Sequence, residues 1–199
     1  MITFLQGILV EKSPARAVVN VGGVGYEVLI PLSSYDRLPP EDAGVKLLTY
    51  HHVREDAQVL FGFVTDAERN MFNRLLDVNG IGPKLALAVL SGLSVREIKS
   101  AIIAGDSKRL SGIPGIGKKT AERMVVELKD RISAGEALEA IAGVDDSMPG
   151  DQRIRDAVMA FVALGYKQID ALKMARDAAA GVGASAGVEE LIRAALAKK

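Results

Sequence analysis

One short pattern occurs twice in the chain, as Gly80-Ile81-Gly82-Pro83-Lys84 and as Gly115-Ile116-Gly117-Lys118-Lys119, 35 residues apart. Each copy follows a segment with helical apolar spacing and opens another. Glycine permits a positive φ and leaves room for a ligand to approach the backbone. The next helix begins with unpaired N–H groups and the positive end of its dipole, which favour an anion. The repeat therefore predicts two anion sites.

The residues around the glycines decide between two interpretations of the repeat. A tight helix–helix connection would explain the glycines by packing alone, and a single copy does not separate that interpretation from anion binding. The isoleucine between the glycines is expected to anchor each turn in the core. Packing does not require a lysine at the mouth of both turns, so the duplicated pattern favours anion binding.

A nucleotide-binding loop is a rival interpretation of the second copy. The run Gly112-Ile113-Pro114-Gly115-Ile116-Gly117-Lys118 fits the glycine–lysine frame of a P-loop. The next residue should be a Ser or Thr that holds Mg²⁺, but it is Lys119, and Thr120 comes one place late. Residues 106–111 are predicted as a helical turn rather than the required buried strand. The pattern therefore argues against nucleotide hydrolysis by this chain.

The residues before the repeat predict strands. Runs rich in β-branched and aromatic residues are separated by glycine, proline and charged turns. Five short strands in 64 residues leave no room for crossover helices, so we predict a small antiparallel barrel, for which the oligonucleotide-binding (OB) barrel is one candidate. The predicted strands cover residues 2–10, 15–21, 25–30, 45–53 and 58–64.

From residue 65 onward the apolar spacing is helical. Residues 133–150 lose apolar density, and their last part has the composition of a flexible linker. Three short helical stretches beyond the linker predict a bundle with a small core. The predicted helices cover residues 67–76, 85–90, 95–103 and 118–132 before the linker, and 153–163, 168–180 and 188–197 after it.

Composition and charge narrow the classes of function. The 199 residues are 49% apolar, which suits packed cores, and the absence of cysteine excludes disulfides and thiolate zinc sites. The net charge is zero, but residues 65–132 carry 12 Lys and Arg against 8 Asp and Glu, while both flanks are net acidic. A basic middle segment is consistent with local anion binding. Without a leader or a membrane-length apolar run, we expect a soluble cytoplasmic protein.

Longer strings connect the repeat to a known family. They are Val21-Gly22-Gly23-Val24-Gly25-Tyr26-Glu27-Val28, Val53-Arg54-Glu55-Asp56-Ala57-Gln58 followed by Phe61-Gly62-Phe63, Gly80-Ile81-Gly82-Pro83-Lys84-Leu85-Ala86-Leu87, Pro114-Gly115-Ile116-Gly117-Lys118-Lys119-Thr120-Ala121-Glu122-Arg123, and Ala163-Leu164-Gly165-Tyr166. The paired glycine turns look like tandem helix-hairpin-helix motifs. Together the strings closely resemble the RuvA family of bacterial Holliday-junction-binding subunits, over essentially the whole chain except the linker.

The resemblance implies an α+β multidomain chain. Its parts are an OB-fold barrel at 1–64, a tandem helix-hairpin-helix domain at 65–133, a linker at 134–150, and a three-helix, UBA-like domain at 151–199. It implies a non-catalytic subunit that binds four-way DNA junctions without sequence specificity and holds them open and planar during recombination and repair. The implied partners are junction DNA, a RuvB-type hexameric ATPase, a RuvC-type resolvase and further copies in a homotetramer, with one or two tetramers per junction left open. No cofactor or metal is implied.

The resemblance also assigns roles to residues. Glu55 and Asp56 lie in a tight predicted turn. Residue type alone indicates an ordinary solvated hairpin tip. The family resemblance instead implies that this turn is an acidic pin at the junction centre. Leu164 and Tyr166 flank Gly165 and suit a small core, whereas the family suggests contact with the motor. The expected phosphate contacts are Asn79, Gly80, Gly82 and Lys84 at the first turn, and Gly115, Gly117, Lys118 and Lys119 at the second. Arg123, one helical turn past Lys119, is expected to reach the same DNA strand.

Plainer explanations apply to two other features. His51 and His52 are adjacent on a predicted strand and face opposite ways, so we do not expect them to share a metal ion. Tyr26, Phe61 and Phe63 could form a base-stacking platform, but such residues are more often core. Two other classes of function stay open: a helix-hairpin-helix repair nuclease or a DNA-binding module unrelated to branch migration, and a scaffold that acts through its terminal bundle without binding DNA.

Overall fold

The computed structural model describes residues 1–132, 149–166, 168–181 and 187–197. The chain divides into two compact units, Met1–Arg131 and Ile132–Lys199. The predicted linker at 134–150 lies outside the described residues, except for its last two positions, which begin a helix. Within the described ranges, no helix has both the length and the apolar character to cross a bilayer.

The first unit begins with a closed five-stranded barrel, as predicted. The strands follow the order β1-β2-β3-β5-β4, and β4 pairs with β1 to close the barrel. All neighbours are antiparallel except β3 and β5, which meet in parallel at Leu29 and Phe61. This is the strand order of an OB fold. The strands are β1 (Phe4–Ser13), β2 (Arg16–Val21), β3 (Val24–Leu29), β4 (Gly44–Val53) and β5 (Gln58–Phe63).

Alternation along the strands builds the barrel core. In β1, Leu5 and Leu9 are buried, whereas Phe4, Ile8 and Val10 lie on the outer face. Since successive strand side chains point to opposite faces, one set fills the barrel and the other faces outward. The shared interior is formed by Leu5, Leu9, Ala17, Val19, Val28, Ile30, Leu38, Val45, Leu47 and Leu60.

Two helical hairpins follow the barrel. In the first, α2 (Asp66–Leu76) leads through a turn into α3 (Pro83–Gly92). In the second, α5 (Ser107–Ser111) leads into α6 (Lys118–Lys129), and α4 (Val95–Ala104) connects the two hairpins. The tandem helix-hairpin-helix arrangement predicted from the repeated glycine turns is therefore confirmed.

Some element limits differ from the predicted ones. α3 begins at Pro83 rather than at residue 85, because proline suits the first position of a helix. α6 ends at Lys129 instead of residue 132. A short helix, α1 (Leu32–Tyr35), lies between β3 and β4, in a stretch for which the sequence predicts neither a strand nor a helix.

A buried carboxylate joins α1 to the helical hairpins. Glu68 of α2 is only 2% exposed, yet its oxygens accept hydrogen bonds from Ser33 Oγ at 2.5 Å and Ser34 Oγ at 3.0 Å. Arg37 Nη2 lies 2.6 Å from Glu68 Oε1. Glu68 also completes the capping box of Thr65 at the start of α2. A buried charge is tolerated only with such partners, so this network fixes the barrel against the first hairpin.

We expect Glu68→Ala to lower the free energy of unfolding by about 3–5 kcal/mol, because it removes the acceptor of the buried Ser34 hydroxyl and the ion-pair partner of Arg37. Urea denaturation of the full chain, followed by circular dichroism, measures the loss. Asp66→Ala is the matched control: Asp66 pairs with Arg69 but is exposed, so its loss should cost less than about 1 kcal/mol. Equal effects of the two changes would show that the network does not hold the barrel.

The second unit is a small three-helix bundle, again as predicted. Its helices are α7 (Pro149–Ala163), α8 (Gln168–Ala179) and α9 (Val188–Ala197), and α7 begins four residues before the predicted position. The core is mostly alanine packed around Phe161 and Leu191. Small side chains let the helices approach closely but bury little apolar area, which agrees with the small core expected from the sequence.

Candidate nucleic-acid interface

The two glycine turns have the same backbone geometry. The first glycine of each pair takes a positive φ, +91° at Gly80 and +87° at Gly115. The second glycine is extended and caps the next helix, with φ of −92° at Gly82 and −79° at Gly117. No described atom lies within 4 Å of a Cβ built on Gly82 or Gly117, so the space in front of both helix starts is open. The positive φ expected of the turns thus belongs to the first glycine only.

The isoleucines anchor the turns from inside, as predicted. Ile81 and Ile116 are 5% and 4% exposed. Each backbone N–H donates to the carbonyl three residues earlier, Ile81 to Val78 and Ile116 to Ile113, both at 3.0 Å. The glycines on either side of each isoleucine are exposed. The turns are therefore rigid on the core side and accessible on the other.

The helices that follow the turns begin differently from α2, α4 and α5. Thr65 and Ser94 form capping boxes at α2 and α4, and Asp106 caps α5. α3 and α6 begin without a side-chain cap and without an acidic residue in the first turn. The four-residue α1 also lacks a cap from its own N-cap side chain, but the N–H of its first residue, Leu32, donates to Ser91 Oγ at 3.2 Å. The first N–H groups of α3 and α6 and the positive ends of their dipoles face the open space. The starts of α3 and α6 thus present backbone donors that no described side chain caps, whereas a side-chain oxygen already accepts from the backbone at the starts of α2, α4 and α5.

Lysines surround both helix starts. Lys84, Lys118 and Lys119 are exposed, and none of them takes part in an ion pair between described residues. Several arginines elsewhere in the unit form ion pairs, such as Arg109 with Glu97 at 2.7 Å. The turn lysines are thus available for an external anion. They sit where the sequence predicted them.

Arg123 extends from α6 to the first turn. The sequence predicted that this residue, one helical turn past Lys119, could reach the same DNA strand as that lysine. In the structure its Nη1 donates to the carbonyl oxygen of Asn79 at 3.1 Å and lies 3.9 Å from a Cβ built on Gly80, both in the first turn. The N–H of Asn79 in turn donates to Glu127 Oε2 at 3.3 Å. Both backbone groups of Asn79 therefore have partners within the protein, and only its exposed side chain faces outward.

The predicted acidic pin forms the tip of the β4–β5 hairpin. The Arg54 N–H donates to the Ala57 carbonyl at 2.8 Å and closes the turn, so Glu55 and Asp56 project and are exposed. Arg54 Nε lies 3.6 Å from Asp56 Oδ1, and both side chains are largely exposed. Such an exposed pair contributes little, so the tip keeps most of its negative character.

The aromatic residues of the barrel have two different environments. Phe61 and Phe63 are buried and pack against Phe72 of α2, with ring centroids 5.3 and 4.9 Å apart. The core interpretation of these two residues is confirmed. Tyr26 is half-buried and, together with Lys84, borders a groove of about 510 Å³.

The two histidines point to different partners, as expected. His51 Nε2 lies 3.2 Å from Gln58 Oε1, whereas His52 stacks on Tyr50 with centroids 6.1 Å apart. Among the described residues there is no group of three His, Cys, Asp or Glu placed to hold a metal ion.

In the second unit, the two predicted motor contacts separate. Leu164 is 63% exposed. Tyr166 is half-buried and packs edge-on against Phe161, with ring centroids 6.0 Å apart. Met159 and Val162 of α7 are further exposed apolar side chains. Residue type alone did not distinguish the exposed leucine from the tyrosine that closes the core.

The closed barrel, the tandem hairpins and the two open, lysine-flanked turns define an OB-barrel protein of the tandem helix-hairpin-helix class. Family models match in the same order along the chain: the RuvA N terminal domain over residues 1–62, the SAM-like helix-hairpin-helix tandem over 72–130, and the RuvA C-terminal domain over 152–198.

Curated relatives match over nearly the full length. A protein of Opitutus terrae is 46% identical over 199 residues, which cover 98% of this chain and all of that protein. Proteins of Halorhodospira halophila and Methylococcus capsulatus are also 46% identical, over 98% of this chain and 96% and 98% of their own lengths. All three are named Holliday junction branch migration complex subunit RuvA. The chain belongs to the RuvA family.

Proposed function

We propose that this chain is the DNA-binding subunit of a branch migration complex and that it binds four-way DNA junctions through its two glycine turns. One observation carries the proposal. The two helices that follow the glycine turns begin without a side-chain cap, face open space, and lie beside exposed lysines that form no ion pair with another described residue. Phosphate oxygens fit such sites because backbone N–H groups and a dipole point at them.

This mode of binding does not depend on DNA sequence. Contacts from backbone N–H groups and lysines go to phosphates, and these contacts position DNA without reading base edges. We assign the phosphate contacts to Gly80, Gly82 and Lys84 at the first turn and to Gly115, Gly117, Lys118 and Lys119 at the second. Asn79 contributes through its side chain only, and Arg123 acts from beside the first turn.

We assign the domains as the barrel at 1–64, the hairpins at 65–133, the linker at 134–150 and the three-helix domain at 151–199. Four copies in a homotetramer would present the hairpins to the four arms of a junction and bring the acidic tips together at its centre. The three-helix domain recruits the ATPase, a RuvB-type hexamer in a separate chain, through an exposed apolar surface that includes Leu164. A RuvC-type resolvase is a further proposed partner, and the proposed location is the cytoplasm.

Titration of a four-way junction and of a linear duplex with the same arm sequences tests the function. We expect clear preference for the junction at equal salt, and the same affinity when the arm sequences are changed, because only phosphates are contacted. Equal affinity for junction and duplex would contradict junction recognition. Strand cleavage on adding Mg²⁺ would contradict the non-catalytic role.

The acidic tip supplies the preference for open junctions. A carboxylate 4 Å from a phosphate is repelled by about 1 kcal/mol in water and about 4 kcal/mol at a lower effective dielectric constant. A continuous duplex crossing the centre meets that repulsion, whereas the diverging backbones of an open junction avoid it. We expect Glu55→Gln with Asp56→Asn to strengthen duplex binding about fivefold or more while junction binding changes little.

A matched control for the tip is Glu189→Gln with Glu190→Gln, which removes the same charge from an adjacent exposed pair on α9. This variant should keep the junction preference. If the tip variant and the control select junctions equally well, the tip is an ordinary solvated turn.

A further inference from the structure

The two glycine turns are joined by side chains that cross between the hairpins. From α6 of the second hairpin, Arg123 Nη1 donates to the Asn79 carbonyl at 3.1 Å, and Glu127 Oε2 accepts from the Asn79 N–H at 3.3 Å. Arg123 and Glu127 are four residues apart and therefore share one face of α6. Both hydrogen-bonding groups of the residue that enters the first turn are thus held by the second hairpin.

The connection is not symmetric. The residue that enters the second turn is Pro114, which has no N–H to donate, so a carboxylate cannot hold it in the same way. There the contact runs through packing instead: a Cβ built on Gly115 would lie 2.8 Å from Leu85 Cδ1 of the first hairpin. Each turn therefore touches the other hairpin, and only the first is held by a carboxylate.

We propose that Glu127 is a positioning residue for DNA binding. By holding the Asn79 N–H, it fixes the backbone immediately before Gly80 and so sets the direction of the open helix start at Gly82. The two phosphate sites then behave as one rigid pair with a fixed separation. This inference depends on the proposed function, because it assigns Glu127 a role in the phosphate contact made at the first turn.

The sign of the expected effect separates positioning from electrostatics. Glu127 is a carboxylate near a surface proposed to bind a polyanion, so simple electrostatics predicts that its removal strengthens DNA binding. Positioning predicts the opposite, since a loosened first turn loses its phosphate. We expect Glu127→Ala to weaken junction and duplex binding about five- to tenfold, the equivalent of one lost hydrogen bond or slightly more.

Two further variants make the test specific. Glu127→Gln removes the same charge but keeps an oxygen that accepts from the Asn79 N–H, so it should restore binding to within about twofold of the unchanged chain. Glu122→Ala removes an exposed carboxylate from the same helix and should leave binding unchanged or strengthen it. For Glu127→Ala, the slope of log affinity against log salt should fall by about one unit, as expected for one lost phosphate contact. A fold that is merely destabilised would not change this slope.

Fluorescence anisotropy with labelled junction and duplex, over a range of salt concentrations, measures all three full-length variants, and thermal unfolding is recorded beside it. If the Glu127→Ala variant binds DNA as tightly as the Glu122→Ala variant, the positioning role is refuted. Equal losses of DNA affinity in the Glu127→Ala and Glu127→Gln variants would also refute it. A Lys118→Ala/Lys119→Ala variant measured in parallel separates the two proposals: if it binds normally, the phosphate sites themselves are wrong, and if it binds weakly, only the role of Glu127 is at stake.

Discussion

Replacing Lys118 and Lys119 by alanine is expected to weaken binding to junction, duplex and single strand together. The two lysines flank the uncapped start of α6, where a phosphate is proposed to sit. Two lost contacts of about 1 kcal/mol each correspond to roughly a 30-fold loss of affinity. The slope of log affinity against log salt should also fall by about two units, because two fewer counterions are released.

The control for this variant removes two positive charges elsewhere in the same unit. Lys129 is at the far end of α6, about 16 Å along the helix from Lys118. Lys46 is on the outside of the barrel, above the ring of Phe4. Lys46→Ala with Lys129→Ala should change affinity much less. A loss confined to junctions, or an equal loss in the control, would refute a grip on phosphates at the second turn.

The second large effect is expected from removing the three-helix unit. Ending the chain after residue 148 removes α7, α8 and α9 but leaves the first unit, with its own barrel and hairpin cores, intact. Junction binding should be unchanged, since every proposed phosphate contact lies in the first unit. Branch migration driven by the ATPase should be abolished, because the surface proposed to recruit the motor is removed. Titration of a four-way junction with the truncated chain measures junction binding. The same junction, incubated with the RuvB-type ATPase and ATP, measures branch migration.

A point variant keeps this test informative if truncation has other effects. Leu164→Ser changes an exposed side chain outside the core of the bundle and should reduce branch migration while sparing junction affinity and folding. Tyr166→Ala, in contrast, removes a ring that packs on Phe161 and should lower the thermal stability of the bundle. Loss of junction binding in the truncated chain would contradict the separation of DNA binding from motor recruitment.

Much of the fold follows from local pattern. Runs of β-branched and aromatic residues located the five strands, and helical spacing after residue 65 located the hairpins. The buried Ile81 and Ile116 follow from the same reasoning, because an apolar residue between two glycines has no other place to pack. The short α1 escaped prediction, since its serines are stabilised by Glu68, a residue 34 or 35 positions further along the chain.

The sequence predicted the separate turns of the site but not the contacts between the two hairpins. The turns and their lysines are local features, and the structure places them where the sequence did. Arg123 donates to the Asn79 carbonyl and Glu127 accepts from the Asn79 N–H, across 44 and 48 residues of the sequence, so spacing along α6 alone did not predict that either side chain reaches the first turn. Sequence spacing reports neighbours on one helix, whereas contacts between hairpins depend on how the helices pack.

Hydrogen–deuterium exchange of the full chain, free and saturated with a four-way junction, tests the central claim most directly. If phosphates occupy the two open helix starts, the backbone N–H groups of Gly82 and Lys84 and of residues 117–120 donate to phosphate oxygens and must exchange more slowly in the complex. The start of α4, which Ser94 and Glu97 already cap, should not change. Saturated binding with both turns exchanging at their free rates would contradict the account.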